Sequence, residues 1–234
     1  MENSLQEELL QVEAKIKANS LIGDKPVFDR SQFDWLPEFE AATEVIKQEF
    51  ESFLRDRDVF DLPTLKQLSE NESGHDNWRA IWLMACNEQS PRTISHFPKT
   101  FEAISKIPGV TSGFFSILSP GKHIPPHRGP YGGVIKCHLP IILPTKNEKC
   151  WLRVEDQVMN WHMGQATVFD DSYDHEVHND TEDVRVVLLV EFKRPLPAEL
   201  AQVNDQVISN FQQTELVQLP KRLYEDWEQK AFVK

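Results

Sequence analysis

The chain has 234 residues, 40% of them hydrophobic and 10% aromatic, enough apolar side chain to pack one large domain and too much for a disordered chain. Its 37 acidic residues outnumber 25 basic ones, a formal charge of −12, which excludes nucleic-acid backbone binding as a main role and disfavours an electrostatic hold on anionic lipid. Cys86, Cys137 and Cys150, with no CxxC among them, suit a reducing compartment rather than a disulfide framework. The acidic opening MENSLQEELL is no signal peptide, and no apolar run approaches the about 18 residues that span a bilayer, so the expectation is a soluble, cytoplasmic chain without a transmembrane segment.

Leu5, Leu9, Val12 and Ile16 share one helical face, and Ser4 with Glu7 has the form of a capping box. A second helix is predicted after Pro37, with Phe39, Ala42, Val45, Ile46, Phe50, Phe53 and Leu54 facing inward. A short helix over Leu65 to Glu70, an apolar stretch from Trp78 to Cys86 and a helix over Thr100 to Lys106 follow. From Gly113 the pattern turns to short alternating runs: strands are predicted at 113–118, 134–143, 150–154, 158–161, 166–170, 175–178 and 184–192, broken by Gly, Pro, Asn and Asp. Seven closely spaced strands describe an antiparallel sandwich or barrel rather than βαβ units. After Pro197 a helical period returns with Leu200, Val203, Val207 and Phe211. The organisation is a helix-rich flank over 1–112, a β core over 113–195 and a helical segment over 196–234, without a linker that would separate two domains.

Six of the 8 histidines (His123, His127, His138, His162, His175 and His178) lie in the β core, a density that points to a metal or anion site because neutral imidazole is a favoured ligand of first-row metals. His127 is set between Pro125-Pro126 and Gly129-Pro130, which would fix its backbone; a rigid surface turn that happens to carry a histidine is the plain structural alternative. His175 follows a turn crowded with Asp170, Asp171 and Asp174, whose mutual repulsion a cation would relieve, unless the turn is simply solvated. Arg185 is the sharpest feature, one guanidinium in the strand Val184-Arg185-Val186-Val187-Leu188-Leu189-Val190. Its burial is costly without an anion, whether a ligand carboxylate or an internal acid, or else Arg185 snorkels to water at an edge.

The blocks His127-Arg128-Gly129-Pro130, Lys136-Cys137-His138-Leu139, Phe169-Asp170-Asp171-Ser172-Tyr173-Asp174-His175-Glu176-Val177 and then Arg185 resemble the aspartyl/asparaginyl β-hydroxylase family of Fe(II)/2-oxoglutarate oxygenases, over about residues 113–195. The resemblance implies a mainly β, double-stranded β-helix (jelly-roll, cupin-like) core with flanking helices. It implies Fe(II) held by His127 and His175. Gly129 stands where most such oxygenases place a third, carboxylate ligand two residues after the first histidine; this family also has glycine there. By the same resemblance Arg185, assisted by Ser116, binds the distal carboxylate of 2-oxoglutarate and His138 the metal-side carboxylate. Lys136 stands where the family's peptide hydroxylase has an arginine. Asp171 is placed to accept a hydrogen bond from an iron-bound water. The reaction implied consumes O2 and 2-oxoglutarate, releases succinate and CO2, and hydroxylates an unactivated carbon.

Within the family the block from Phe115 to Tyr131 is most similar to bacterial lipid A hydroxylases. The acidic surface and the lack of an anchor favour instead a small amino-acid or peptide substrate, such as the β-carbon of an aspartyl or asparaginyl residue, with a lipid A-type acyl chain as runner-up. From a different class, a non-catalytic cupin-like protein would use the same residues to hold a metal and a carboxylate ligand.

Overall fold

A computed structural model describes residues 2–55, 57–58, 62–64 and 78–232, with side chains from residue 7 onward. Helices α1 (Glu2–Ala18), α2 (Leu36–Ala41) and α3 (Thr43–Leu54) come first, and strands β1 (Trp78–Ala85) and β2 (Glu88–Gln89) form a hairpin. Two short helices, α4 (Pro91–Ile94) and α5 (Pro98–Ser105), lead into β3 (Val110–Leu118), β4 (Lys122–His127) and β5 (Val134–Ile142). Then come β6 (Cys150–Val154), β7 (Gln157–Asn160), β8 (Thr167–Phe169), β9 (His175–Asn179) and β10 (Arg185–Lys193), with α6 (Ala198–Gln212) and α7 (Glu215–Ala231) at the end.

The strands form a six-stranded sheet, ordered β2-β1-β3-β10-β5-β8, and a four-stranded sheet, ordered β4-β9-β6-β7. All their pairings are antiparallel. The two sheets close on one another as a double-stranded β-helix, a jelly roll, with helices packed outside the larger sheet.

The uninterrupted apolar run of β10 follows from this layering, since both of its faces are buried. Val186, Leu188, Val190 and Phe192 belong to a core shared with Phe39, Ile46, Phe50, Phe53 and Ile104 from the helices. Val187 and Leu189 point the other way, into a second core with Ile124, Leu152, Trp161 and Val177 from the smaller sheet and its connections. Phe115, on the helix side of β3, meets Phe50 at 4.8 Å and Phe97 at 5.0 Å between ring centroids. The sheet alternation thus divides each long strand into a structural face and a barrel face, and functional side chains have only the second available.

Several sequence expectations shift. The expected strands appear within a few residues of their predicted bounds, but the apolar stretch at 78–86 is β1, pairing with β3 in the larger sheet, so that sheet draws on residues well before Gly113. The sequence WRAIWLMA gave no alternation to read because Ala80, Ile81, Leu83 and Met84 are all buried. The expected second helix is two helices, broken at Ala42, and Val45 is exposed. Ser4 lies inside α1 rather than at its cap. Val203 of α6 is exposed, while Asn204 and Ile208 are buried. The helix predicted at 65–70 falls outside the described residues. Among the described residues no helix is long and apolar enough to cross a membrane.

Candidate active site

The barrel face of the larger sheet carries Ser116 on β3, Lys136 and His138 on β5, and Arg185, Leu189 and Glu191 on β10. Register places Ser116 opposite Val187, His138 opposite Leu189 and Lys136 opposite Glu191. Arg185 is 1% exposed, and no carboxylate among the described residues pairs with it. Its Nη1 donates to the backbone oxygen and to Oγ of Ser116, both at 3.2 Å, its Nε has no partner, and the guanidinium lies 5.1 Å from the centroid of the Trp161 ring. Burial pulls its pKa down to about 10, so it is still a cation at neutral pH, in a site that offers no internal anion. The internal salt bridge and the edge position, both open from sequence, are therefore not what the fold adopts. Trp78 Nε1 donates to Ser116 Oγ at 2.8 Å, which helps to orient that hydroxyl.

The facing sheet supplies the two histidines. His127 and His175 are register partners across β4 and β9, with ring centroids 4.1 Å apart. His127 is on no turn: β4 is a true strand at the sheet edge, where Pro125 and Pro126 cost no ladder bond, and a β-bulge lies between Ile124 and His127. Nδ1 of each ring meets a backbone oxygen two residues back, His127 to Pro125 at 2.9 Å and His175 to Tyr173 at 3.0 Å. A carbonyl can only accept, so each neutral ring carries its proton on Nδ1 and keeps a lone pair on Nε2. Burial, then the facing His127, lowers the pKa of His175 to about 4, which keeps that lone pair free at neutral pH. His138 is 5% exposed with neither ring nitrogen partnered. Burial and then the Arg185 charge hold it neutral, well below the ordinary imidazole range.

The acidic turn is resolved internally. Asp170 pairs with the fully buried Arg194 and lies 3.5 Å from Lys17, and Asp174 pairs with Arg153 at 2.7 Å. The expected cation is thus supplied by side chains. Asp171, 3% exposed, faces Lys136 at 3.1 Å, while Lys136 also pairs with Glu191. One ammonium serves two carboxylates. Burial opposes ionisation of Glu191 but Lys136 outweighs it and lowers its pKa, whereas burial pushes Asp171 up. Lys136 therefore reaches the site already neutralised. Gly129 is required by the same group: a Cβ there would stand 2.2 Å from Oδ2 of Asp171, so the carboxylate of the neighbouring turn fills the volume that a side chain at 129 would occupy.

His127, His138, His175, Arg185, Ser116, Lys136 and Asp171 all line one cavity of about 220 Å³ between the two sheets, with Phe114, Ile124, Leu152 and Leu189 as apolar wall. The sequence reading did not single out Trp161 beneath Arg185 or Glu191 beside Lys136. The pairing of Lys136 with Glu191 depends on the β5–β10 register, which no local pattern encodes.

A sequence profile of the family described as aspartyl/asparaginyl beta-hydroxylase matches residues 40–195. An ornithine lipid ester-linked acyl 2-hydroxylase from Rhizobium tropici is 37% identical over 214 residues, covering 90% of this chain and 75% of that protein. The aspartyl/asparaginyl beta-hydroxylase of Homo sapiens is 27% identical over 172 residues, covering 69% of this chain but 22% of that protein. Among solved structures, a Pseudomonas putida prolyl-4-hydroxylase aligns with 68% of this chain and 98% of its own at 15% identity and a TM-score of 0.42. The family match and the sequence likeness to the acyl hydroxylase, on a chain folded as a jelly roll, define a hydroxylase that acts at an unactivated carbon. Within that class the chain belongs to the aspartyl/asparaginyl β-hydroxylase family.

Proposed function

We propose that the chain is an Fe(II)- and 2-oxoglutarate-dependent dioxygenase that hydroxylates a lipid acyl chain. The observation that carries this reading is the meeting, in one cavity, of two imidazoles with their Nδ1 atoms tied back and a buried guanidinium with no internal anion. The donor set fits the groups it would hold. Paired neutral imidazoles suit a first-row metal, and the unpartnered Nε of Arg185, both nitrogens of His138 and Oδ1 of Asp171 are buried polar atoms of the kind a bound ligand satisfies.

In this reading His127 and His175 hold Fe(II) through Nε2. Arg185, with Ser116 beside it, takes the distal carboxylate of 2-oxoglutarate, and His138 hydrogen-bonds the metal-side carboxylate. Asp171, held by Lys136 at 3.1 Å, would offer its unpartnered Oδ1 as a hydrogen-bond acceptor beside the two histidines. Iron, 2-oxoglutarate and O2 supply the oxidising chemistry: the cosubstrate loses CO2 to become succinate, and one oxygen atom enters a substrate C–H bond. The protein's own work is to keep His138 and His175 neutral, to fix the cosubstrate between Arg185 and the histidine pair, and to wall off water with Phe114, Ile124, Leu152 and Leu189. Residues 113–195 carry all seven side chains, while strand β1 completes the larger sheet, Trp78 orients Ser116, and helices α6 and α7 wall the second cavity. Free Cys86, Cys137 and Cys150 support a cytoplasmic setting.

The acyl substrate is favoured by the likeness to the ornithine lipid hydroxylase, which extends over 90% of the chain. It is favoured also by a second cavity of about 200 Å³ that shares Pro130, Lys136 and Asp171 with the first and continues along Val134, Ile208, Phe211, Leu216 and Val217. An amino-acid or peptide substrate, favoured by sequence alone, is supported by the likeness to the human aspartyl/asparaginyl β-hydroxylase.

The test has two stages. Anaerobic addition of Fe(II) and then 2-oxoglutarate gives a visible charge-transfer band that His127→Ala and His175→Ala abolish; no band refutes the cofactor assignment. Succinate release is then compared with ornithine-lipid vesicles and with an aspartyl peptide. Stimulation by the vesicles, with one oxygen gained in the acyl chain, supports the acyl reading, and stimulation by the peptide alone refutes it.

A further inference from the structure

Strands β4 and β9 carry two cross-strand histidine pairs, one on each face of the smaller sheet. His127 and His175 face the barrel. His123 and His178, also register partners, stand on the outer face with ring centroids 4.0 Å apart and planes inclined by 27°. Glu176, two residues before His178 on the same strand, shares that face. Its Oε2 lies 3.0 Å from Nε2 of His178 and 3.8 Å from Nε2 of His123, and the three donor atoms fall within 4.8 Å of one another.

Without a cation the 3.0 Å contact is a hydrogen bond from His178 Nε2 to Glu176, and a metal would take the place of that proton, with the imidazole proton moved to Nδ1. Zinc bonds of about 2.0–2.2 Å in a tetrahedron put neighbouring donor atoms about 3.3 Å apart, and 3.0 and 3.8 Å bracket that value. The donors are held from behind. Arg153 Nε donates to the other carboxylate oxygen of Glu176 at 2.5 Å, which turns Oε2 towards both imidazoles. Trp151 stacks on His178 at 4.0 Å with planes 12° apart, fixing the ring between an indole and the second imidazole. His123 is 44% exposed, against 15% for Glu176 and 21% for His178, so the set opens to water on one side.

We propose that His123, Glu176 and His178 form a second metal site, which takes a borderline divalent cation such as Zn(II) in four-coordinate geometry with water as the fourth ligand. Two imidazoles and one carboxylate match that cation better than Mg(II) or Ca(II), which demand all-oxygen shells. Bound there, the metal ties β4 to β9 behind the pair that lines the barrel cavity. The site is separate from the proposed iron site and does not depend on it.

The full chain is titrated with Co(II), with absorption reporting geometry and equilibrium dialysis reporting stoichiometry. The wild type shows the intense visible bands of four-coordinate Co(II). His127→Ala retains them, because its imidazole lies on the other face. His123→Ala and Glu176→Gln each weaken the affinity for this equivalent by more than about tenfold. His123→Ala removes an exposed ring, and circular dichroism verifies that both variants keep the sheet. Absence of four-coordinate bands in the wild type overturns the proposal. So does an affinity in His123→Ala and Glu176→Gln within about threefold of the wild type, or loss of the bands in His127→Ala.

Discussion

Gly129→Ala is a single-methyl perturbation whose cost follows from geometry. The glycine is not in left-handed backbone, so conformational freedom does not explain it; contact does. The added Cβ would lie 2.2 Å from Oδ2, 2.4 Å from Cγ and 2.7 Å from Oδ1 of Asp171. The carboxylate has little room to retreat, since Asp171 is 3% exposed and held by Lys136 at 3.1 Å. Overpacking costs about 1–3 kcal/mol and loss of one partner of a buried ion pair about 3–5 kcal/mol; because Glu191 continues to neutralise Lys136, the expected sum is about 2–4 kcal/mol. For a chain of this length that lowers Tm by roughly 4–16 °C. A double-mutant cycle by thermal and urea unfolding isolates the cause: in an Asp171→Ala background the same Gly129→Ala change costs less than about 1 kcal/mol. A cost within about 0.5 kcal/mol of zero in the wild type, or an equal cost in both backgrounds, refutes the argument. The same geometry predicts that Gly129→Asp, which would restore a third carboxylate beside His127, does not improve metal retention while Asp171 fills that volume.

Arg185→Gln removes a buried cation that no internal anion satisfies, so the unliganded protein is expected to be unchanged or up to about 2 kcal/mol more stable. Its affinity for 2-oxoglutarate, followed by the charge-transfer band, falls about a hundredfold or more; a destabilised variant that still binds would contradict the reading. Arg194→Met strips Asp170 of its fully buried partner and is expected to cost about 3–5 kcal/mol, measured by urea midpoint. Acid stability follows from the depressed imidazoles. His175, at about 4, and His138, lower than the ordinary 6.5, stay neutral in the folded chain while the unfolded chain takes up protons first. Their contribution is present above pH 6.5 and is lost as pH falls towards about 4, with His175 accounting for about 3 kcal/mol. Urea midpoints of the metal-free protein at pH 7.5, 5.5 and 4.5 check the slope, and a flat profile would refute it.

Most of the β core was legible because alternation survives wherever turns of Gly, Pro, Asn and Asp separate short runs. It failed where both faces are buried, as in Trp78–Ala85, and where Pro125-Pro126 reads as a turn although the chain is an edge strand. The seven site residues were legible as chemical types at given spacings. Their contacts were not, because these are set by register and by separate connections. Lys136 meets Glu191 across β5 and β10, Arg194 reaches back to the turn at Asp170, and Trp161 comes under Arg185 from outside the strands. The acidic turn misled for the same reason: its counter-charges Lys17, Arg153 and Arg194 lie far away in sequence.

The bulge in β4 has a further consequence. Ile124 and His127 are three residues apart yet both face the barrel, because β4 spends one more residue than β9 between the pairs Ile124–Val177 and His127–His175. The Pro125-Pro126 step therefore acts as a phase setter, fixing which side of the sheet the next side chain reaches. Regularising the strand with its residue count unchanged would turn the imidazole of His127 to the outer face, whereas deleting one proline would remove the bulge and leave the histidine two residues from Ile124, still facing the barrel. At this point the orientation of His127 depends on one surplus residue being taken up in a bulge, and a strand that paired without it would present the ring to the wrong side of the sheet.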